Sequence, residues 1–311
     1  MVNSDYQRYG YANFESGTAS LGAGQPDSLR DGFRNLWEAY ENFLDGMPVP
    51  GSKIREQNKE FEGLLIERNL VSHFTESVLR LPEAGLLADL QPRIFHEQIF
   101  QRTGERRTDE HDAYASDYDR IRSGRPAKEP LARLLNLLAV VRNNLQHGQK
   151  ILPEEWPEMR ERNLEIFRVA APVQHRVVLT LFETLWADGL FGYGTLRPAS
   201  TRFDLVHDLV TTTSGTRYVS GKLYDLGEYP GLVLGSGDSV PGEILHSDRL
   251  HELLLRVDGI EGHDFARRLF WAMSSEGGER ALCWVYPYGG STSGVPRCRQ
   301  GIWPRPVKGG A

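Results

Sequence analysis

The chain has 311 residues, 40% of them hydrophobic and 25% charged, with a formal net charge of −6. That length and composition describe a globular protein of two ordinary domains. No apolar run reaches the roughly 18 residues that a bilayer span needs, so no membrane partner is expected. Met1 to Ser28 has neither a basic start nor an apolar centre, unlike a signal peptide. The only cysteines, Cys283 and Cys298, form no C-x-x-C pair. Neither a disulfide framework nor a cysteine zinc site is supported, and a cytoplasmic location is expected. Residues 1–188 hold 23 Lys+Arg against 29 Asp+Glu, and residues 189–311 hold 13 of each. An acidic first half is a poor general binder of polyanions, so any nucleic acid must meet a local patch or a groove between copies.

In chain order, residues 1–26 are short of branched apolar side chains and read as a disordered tail. Asp27 or Ser28 can cap a first helix over about 28–45, with Leu29, Phe33, Leu36, Trp37, Tyr40 and Leu44 at helical spacing. Gly46 and Pro48-Val49-Pro50-Gly51 stop it. A longer helix is expected over about 52–80, carrying Ile54, Phe61, Leu64, Leu65, Val71, Phe74 and Val78, and a third helical piece over about 83–101. Residues 102–130 read as a charged surface loop. Its Asp109-Glu110-His111-Asp112 run lacks a further ligand set at fixed spacing, so no metal is assigned to it.

A fourth helix, about 129–148, carries Leu131, Leu134, Leu135, Leu137, Leu138, Val140 and Val141 and reads as central and buried. Its last turn is abruptly polar, and Gly148 suits its C-terminal cap. A last helix spans about 153–187, with Pro172 expected to kink or split it. From residue 189 the period changes. Short strand-like runs at 190–193, 203–210 (mixed), 217–225, 231–235, 240–245, 267–273 and 280–287 surround one helix over about 247–257. The expected fold class is α+β in two domains. An N-terminal all-α helical bundle precedes a small mixed β-barrel with one or two helices.

Two stretches carry chemistry. At the polar helix end, Arg142 and His147 lie about 140° apart around the helix, while Asn143 and His147 share a face. His147 can move a proton near neutral pH, and Arg142 can hold growing phosphoryl charge. In the second half, Gly192 and Gly194 flank Tyr193 in a strand-to-loop corner. Without Cβ atoms they can take φ > 0 and let a ligand approach the N–H groups, which suit a carboxylate.

Arg142-Asn143-Asn144-Leu145-Gln146-His147 resembles the Arg-x4-His signature of the HEPN superfamily, over residues 27–188. That resemblance implies a homodimeric, metal-independent endoribonuclease acting on RNA, of the toxin or antiphage and stress type. Arg142, Asn143 and His147 would be its catalytic residues. Phe191 to Pro198 resembles the first signature of the γ-glutamylcyclotransferase-like fold, over residues 189–311. Gly221 to Val233, Val240 to Leu245, Leu254 to Gly262 and Ala281 to Tyr286 resemble its later segments in order.

This second resemblance implies cleavage of a γ-glutamyl amide, on a small molecule or a modified peptide, to 5-oxoproline and an amine. Glu261 would be the acid/base, and Tyr193, Gly194, Thr195 and Leu196 would hold the substrate carboxylate. No metal or organic cofactor is implied. Phe265-Ala266-Arg267 departs from the family's Tyr-x-Arg by one hydroxyl. Glu243 is expected to brace its strand and Cys283 to fill the core. The two resemblances together describe a two-domain effector. The alternative is an amide-cleaving enzyme whose helical half only dimerises it.

Overall fold

The computed structural model describes residues 4–46, 53–90, 109–146, 157–198, 200–274, 279–298, 301 and 303. Contacts divide the chain into two compact units, Met1–Leu181 and Phe182–Ala311. Phe182 to Asp188 goes with the second unit through its bonds: Trp284 Nε1 donates to Phe182 O, and Arg267 pairs with Glu183 at 2.6 Å. Among the described residues no helix is long and apolar enough to cross a membrane.

The first unit is helical. Helix α1 (Ser4–Gly22) stands where the sequence reading places a disordered tail. The correction has a physical cause that hydropathy misses. A Cβ on Gly17 would lie 2.7 Å from Leu36 Cγ, and one on Gly32 would lie 2.8 Å from Leu21 Cδ2. Glycine therefore lets α1 lie close against α2 (Pro26–Gly46), and Phe14 adds a stacked contact with His175 at 5.3 Å. The stripe of α2 is buried as expected, including Phe33, Leu36, Trp37, Tyr40 and Leu44.

The long second helix of the sequence reading is instead broken. Helix α3 (Ile54–Glu67) ends at Asn69, which takes a φ of 57°, a left-handed turn that Asn tolerates. Helix α4 (Val71–Phe74) follows and runs into a π-helical turn, Thr75–Leu79. Pro82 then opens α5 (Pro82–Asp89), where its missing N–H costs no hydrogen bond.

The expected charged loop is also corrected in part. Asp109–Arg122 is helix α6, with Tyr114 and Asp117 buried on one face and Asp112, Asp119, Arg120 and Arg122 exposed. His111 is buried within it, and no group of three or more His, Cys, Asp or Glu able to hold a metal occurs among the described residues.

Helix α7 (Pro130–Gln146) is the centre of the bundle, with Leu131, Leu134, Leu135, Leu137, Leu138 and Val141 buried. Each such side chain contributes about 1.5–3 kcal/mol on leaving water. Its free N-terminal N–H groups are met from outside: Ala132 N donates to Glu62 and Glu129 N donates to Asp117. Helix α8 (Pro157–Leu181) runs through Pro172 without splitting there.

The second unit is a closed barrel. Its strands are β1 (Gly189–Gly192), β2 (Thr212–Thr213), β3 (Arg217–Asp225), β4 (Pro230–Leu234), β5 (Asp238–His246), β6 (Arg268–Ser274) and β7 (Arg280–Val285). Pairing runs β5-β1-β7-β6-β3, and β3 pairs back onto β5 to close five strands; β2 and β4 extend the sheet. All pairs are antiparallel except β1 with β7, where Leu190 faces Trp284. Phe191, Val219, Leu223, Leu232, Val240, Ile244, Cys283 and Val285 fill the core. Closure leaves little room: a Cβ on Gly242 would lie 2.4 Å from Gly192 O. Residues 203–209, read as a mixed strand, are two short 3-10 turns. Helix α9 (Leu250–Ile260) buries Leu250, Leu253, Leu254 and Val257. Ser247 accepts from Arg249 N, just before the helix.

Candidate active site

Strand β1 is buried along its whole length, so the chain leaving Gly192 emerges at the rim of the barrel. There it turns sharply, with Arg197 N donating to Gly194 O and Arg202 N to Thr195 O. Among the described residues the N–H groups of Gly194, Thr195 and Leu196 donate to no backbone carbonyl. The far end of the loop is tied down: Arg197 pairs with Glu243 on β5 at 2.7 Å, with both side chains half-buried. Glu243 thus braces the loop as well as its strand. Neither Gly192 nor Gly194 takes a positive φ. Gly194 is needed for close approach, since a Cβ there would lie 2.7 Å from Pro230 Cγ.

The acidic residue comes from elsewhere in the barrel. Glu261 is the first residue past α9; its N–H closes the helix onto Val257 O and its backbone is extended (ψ 140°). That geometry turns the side chain into an open pocket of about 400 Å³, mouth included. The same pocket is lined by Tyr193, Gly194, Thr195 and Leu196. Burial pushes the Glu261 carboxyl above the ordinary carboxylate range, and the nearby charge of Arg202 pulls the other way. Among the described residues no cation lies within ion-pair distance of Glu261.

The walls are held rigid by bonds that do not consume Glu261. Tyr193 donates to Tyr286 O at 2.7 Å, and its hydroxyl is kept protonated by burial and by Glu261 beside it. Tyr286 in turn donates to Asp258 at 2.6 Å, and Asp258 meets Arg267 at 3.4 Å. Arg267 also lies over the Trp284 ring, 5.3 Å from its centroid. Phe265, where the sequence lacks the family's hydroxyl, lines the pocket between Tyr229 and Tyr288, at 6.0 and 5.4 Å. Cys283 is fully buried and its thiol is pushed up by that burial, as a core residue's would be.

Sequence reasoning missed Arg202. It lines the pocket and lies over the Tyr229 ring, 5.2 Å from its centroid. A single arginine at the edge of an irregular run has no periodicity to mark it. The Arg202 N to Thr195 O bond holds it against the loop.

In the helical unit, Arg142 lies in the last turns of α7 and is half-buried. It donates to Glu41 at 2.6 Å and to Asn143 at 3.1 Å. With Phe33, Arg34, Trp37, Glu38, Glu41 and Leu145 it lines a second cavity, of about 630 Å³ with its mouth. His147 and Gly148 lie outside the described residues.

Residues 190–305 match the family model for gamma-glutamyl cyclotransferase, AIG2-like, just over a third of the chain. No curated protein matches. Among solved structures, an AIG2-like protein from Mus musculus is 21% identical, covering 39% of this chain and 96% of that one, with a TM-score of 0.31. PH0828 from Pyrococcus horikoshii is 23% identical over 36% of this chain and 86% of its own, with a TM-score of 0.29. YkqA from Bacillus subtilis is 18% identical over 37% of this chain, with a TM-score of 0.29; the chain spans only 38% of that protein. The described barrel and the family match cover nearly the same residues, so the C-terminal unit is similar in sequence to the gamma-glutamyl cyclotransferase, AIG2-like family.

Proposed function

We propose that the barrel unit cleaves a γ-glutamyl amide by ring closure, releasing 5-oxoproline and an amine. The observation that carries this reading is that Glu261 and the Tyr193–Leu196 loop share one pocket, with the carboxylate half-buried and without an ion-pair partner among the described residues. The substrate's α-carboxylate accepts hydrogen bonds from the loop N–H groups. Its α-ammonium faces Glu261, which takes one proton and frees the nitrogen lone pair. That nitrogen attacks the γ-carbon, a C–N bond forms, and the carbonyl π electrons move to oxygen. As the carbonyl re-forms, the original amide C–N bond breaks, Glu261 returns its proton to the departing nitrogen, and the ring nitrogen gives up its second proton to solvent, leaving the neutral lactam. Burial raises the proton affinity of Glu261 toward that of the ammonium, which makes the first transfer less uphill. The reaction is intramolecular, so holding the glutamyl chain folded supplies much of the rate. The test is 5-oxoproline release from γ-glutamyl amides by wild type and Glu261→Gln. Equal release by both sinks the reading.

A second reading concerns the helical unit, residues 27–188. We propose a metal-independent endoribonuclease of the toxin or antiphage kind, active as a homodimer. The observation favouring it is Arg142 beside a cavity at the end of the central helix. In this reading Arg142 holds phosphoryl charge, Asn143 orients it and His147 moves the proton. RNA cleavage by wild type, compared with Arg142→Ala and His147→Ala, tests it. If RNA stays intact with all three, this second reading falls.

A further inference from the structure

Glu183 is a buried carboxylate, 5% exposed, on the segment that leads into the barrel. It lies ahead of residue 190, where the family match begins. The segment is fastened to the barrel at several points. Phe182–Trp186 is a widened π-helical turn, closed by the bond from Ala187 N to Phe182 O. Phe182 O also accepts from Trp284 Nε1 on β7. Asp188 and Leu282 exchange two bonds, Asp188 N to Leu282 O and Leu282 N to Asp188 Oδ2. Taking a carboxylate out of water is costly unless a cation meets it. Here the cation is Arg267, which donates to Glu183 at 2.6 Å.

From there Arg267 reaches the pocket wall. Its other amino group lies 3.4 Å from Asp258. Asp258 sits in the last turn of α9, three residues before Glu261. The helix dipole disfavours a negative charge there, and that turn holds no basic residue. Asp258 accepts from the Tyr286 hydroxyl, and Tyr286 O accepts from Tyr193. A line of contacts thus runs from Glu183 through Arg267, Asp258 and Tyr286 to Tyr193, which shares its pocket with Glu261. Two anions share one cation along it. Without the Glu183 charge, Arg267 is free to close on Asp258 and compete with Tyr286 for it.

We propose that Glu183 is a positioning residue for the Glu261 pocket: from outside the family-matched stretch, it fixes Arg267 and through it the register of the Tyr193–Leu196 loop against Glu261. This rests on the cyclotransferase reading of the pocket. Glu183 touches no substrate in this scheme. It keeps the loop that binds the α-carboxylate and the base that takes the ammonium proton at a fixed spacing.

The test uses the full chain with γ-glutamyl-alanine and γ-glutamyl-ethylamine, reading 5-oxoproline release and, separately, Tm. Glu183→Gln should lower kcat by about 10- to 100-fold, the scale of a misplacement near 1 Å. KM should stay within about twofold, because substrate still binds the loop while its ammonium sits off Glu261. Glu183→Asp keeps the charge and should recover part of kcat. If Glu183→Gln does not fold, Glu183→Asp decides: a kcat below wild type at unchanged KM supports the inference, and a wild-type kcat overturns it. A Glu183→Gln protein that melts lower but turns over like wild type also overturns it, as does one that changes KM alone. If wild type releases 5-oxoproline from neither substrate, the cyclotransferase reading falls and takes the inference with it. That result is distinct from wild-type turnover that Glu183→Gln leaves unchanged.

Discussion

Glu261 in the barrel and Arg142 in the helical bundle are both half-buried charges, but they are kept differently. Arg142 has a carboxylate, Glu41, at 2.6 Å, and a second acceptor in Asn143. Glu261 has no ion-pair partner among the described residues, and burial raises its proton affinity. A paired charge is compatible with a purely structural role. A charge left open in a half-dry pocket costs stability, and its retention points to a ligand or a reaction. For the bundle to act on RNA, a phosphate has to take Glu41's place on Arg142.

The largest expected effect separates the two sites outright. Glu261→Gln should lower kcat for 5-oxoproline release by about 10²- to 10⁴-fold, the range of a lost acid/base, while any RNA cleavage persists. Arg142→Ala should lower RNA cleavage by about 10²- to 10³-fold, as for a lost charge-stabilising group, without touching 5-oxoproline release. If either variant damages both activities, the sites are not independent and the contrast drawn above fails.

Smaller effects sharpen the barrel side. Gly194→Ala should force the loop off Pro230, raising KM by roughly tenfold, since overpacking of this kind costs about 1–3 kcal/mol. A pH profile checks the base. Glu261 must be ionised to accept the ammonium proton, so the acid limb of kcat/KM should lie above the ordinary carboxylate range. Arg202→Gln removes the charge that favours ionisation, so it should move that limb further up. A limb at an ordinary carboxylate position would remove burial as the cause.

The smallest effect is on stability. A carboxyl whose folded-state proton affinity is raised gives its full contribution below the unfolded value and loses it as pH rises through the folded value. Glu261→Gln lacks this loss. Its Tm should exceed that of wild type at pH 8, and the difference should shrink below about pH 4. A lower Tm for the variant at pH 8 would mean that Glu261 is held by favourable contacts after all.

What could be read in advance follows the range of the interactions. Strands β3 and β5 alternate more and less buried residues over much of their length, β6 and β7 are nearly continuous apolar runs, and the edges of all four fall within a few residues of the expected runs. Helix α2 and helix α7 announce themselves by their stripes. Helix α1 does not, because it is held by glycine-to-leucine contacts, and glycine is counted against helices. Helix α6 hides for another reason: charged residues surround the few side chains that it buries, His111, Tyr114 and Asp117. In the pocket, the loop and Glu261 were visible as ordered motifs. Arg202 was not, since nothing local distinguishes it from any surface arginine.

By itself the sequence determined the two-part α+β character, most strand positions, and the pairing of a glycine loop with a distant acidic turn. The first two rest on periodicity, a property of neighbouring residues, and the third on the resemblance of short ordered motifs to a known family. Only the tertiary structure decided that β3 returns to β5 and closes the barrel. Closure brings Gly194, Arg202, Tyr229 and Glu261 around one pocket, from segments far apart in the chain. It also decided that Arg142 is already neutralised by Glu41, 101 residues away in the chain. Both outcomes depend on which charges meet across the fold, and no local pattern encodes that.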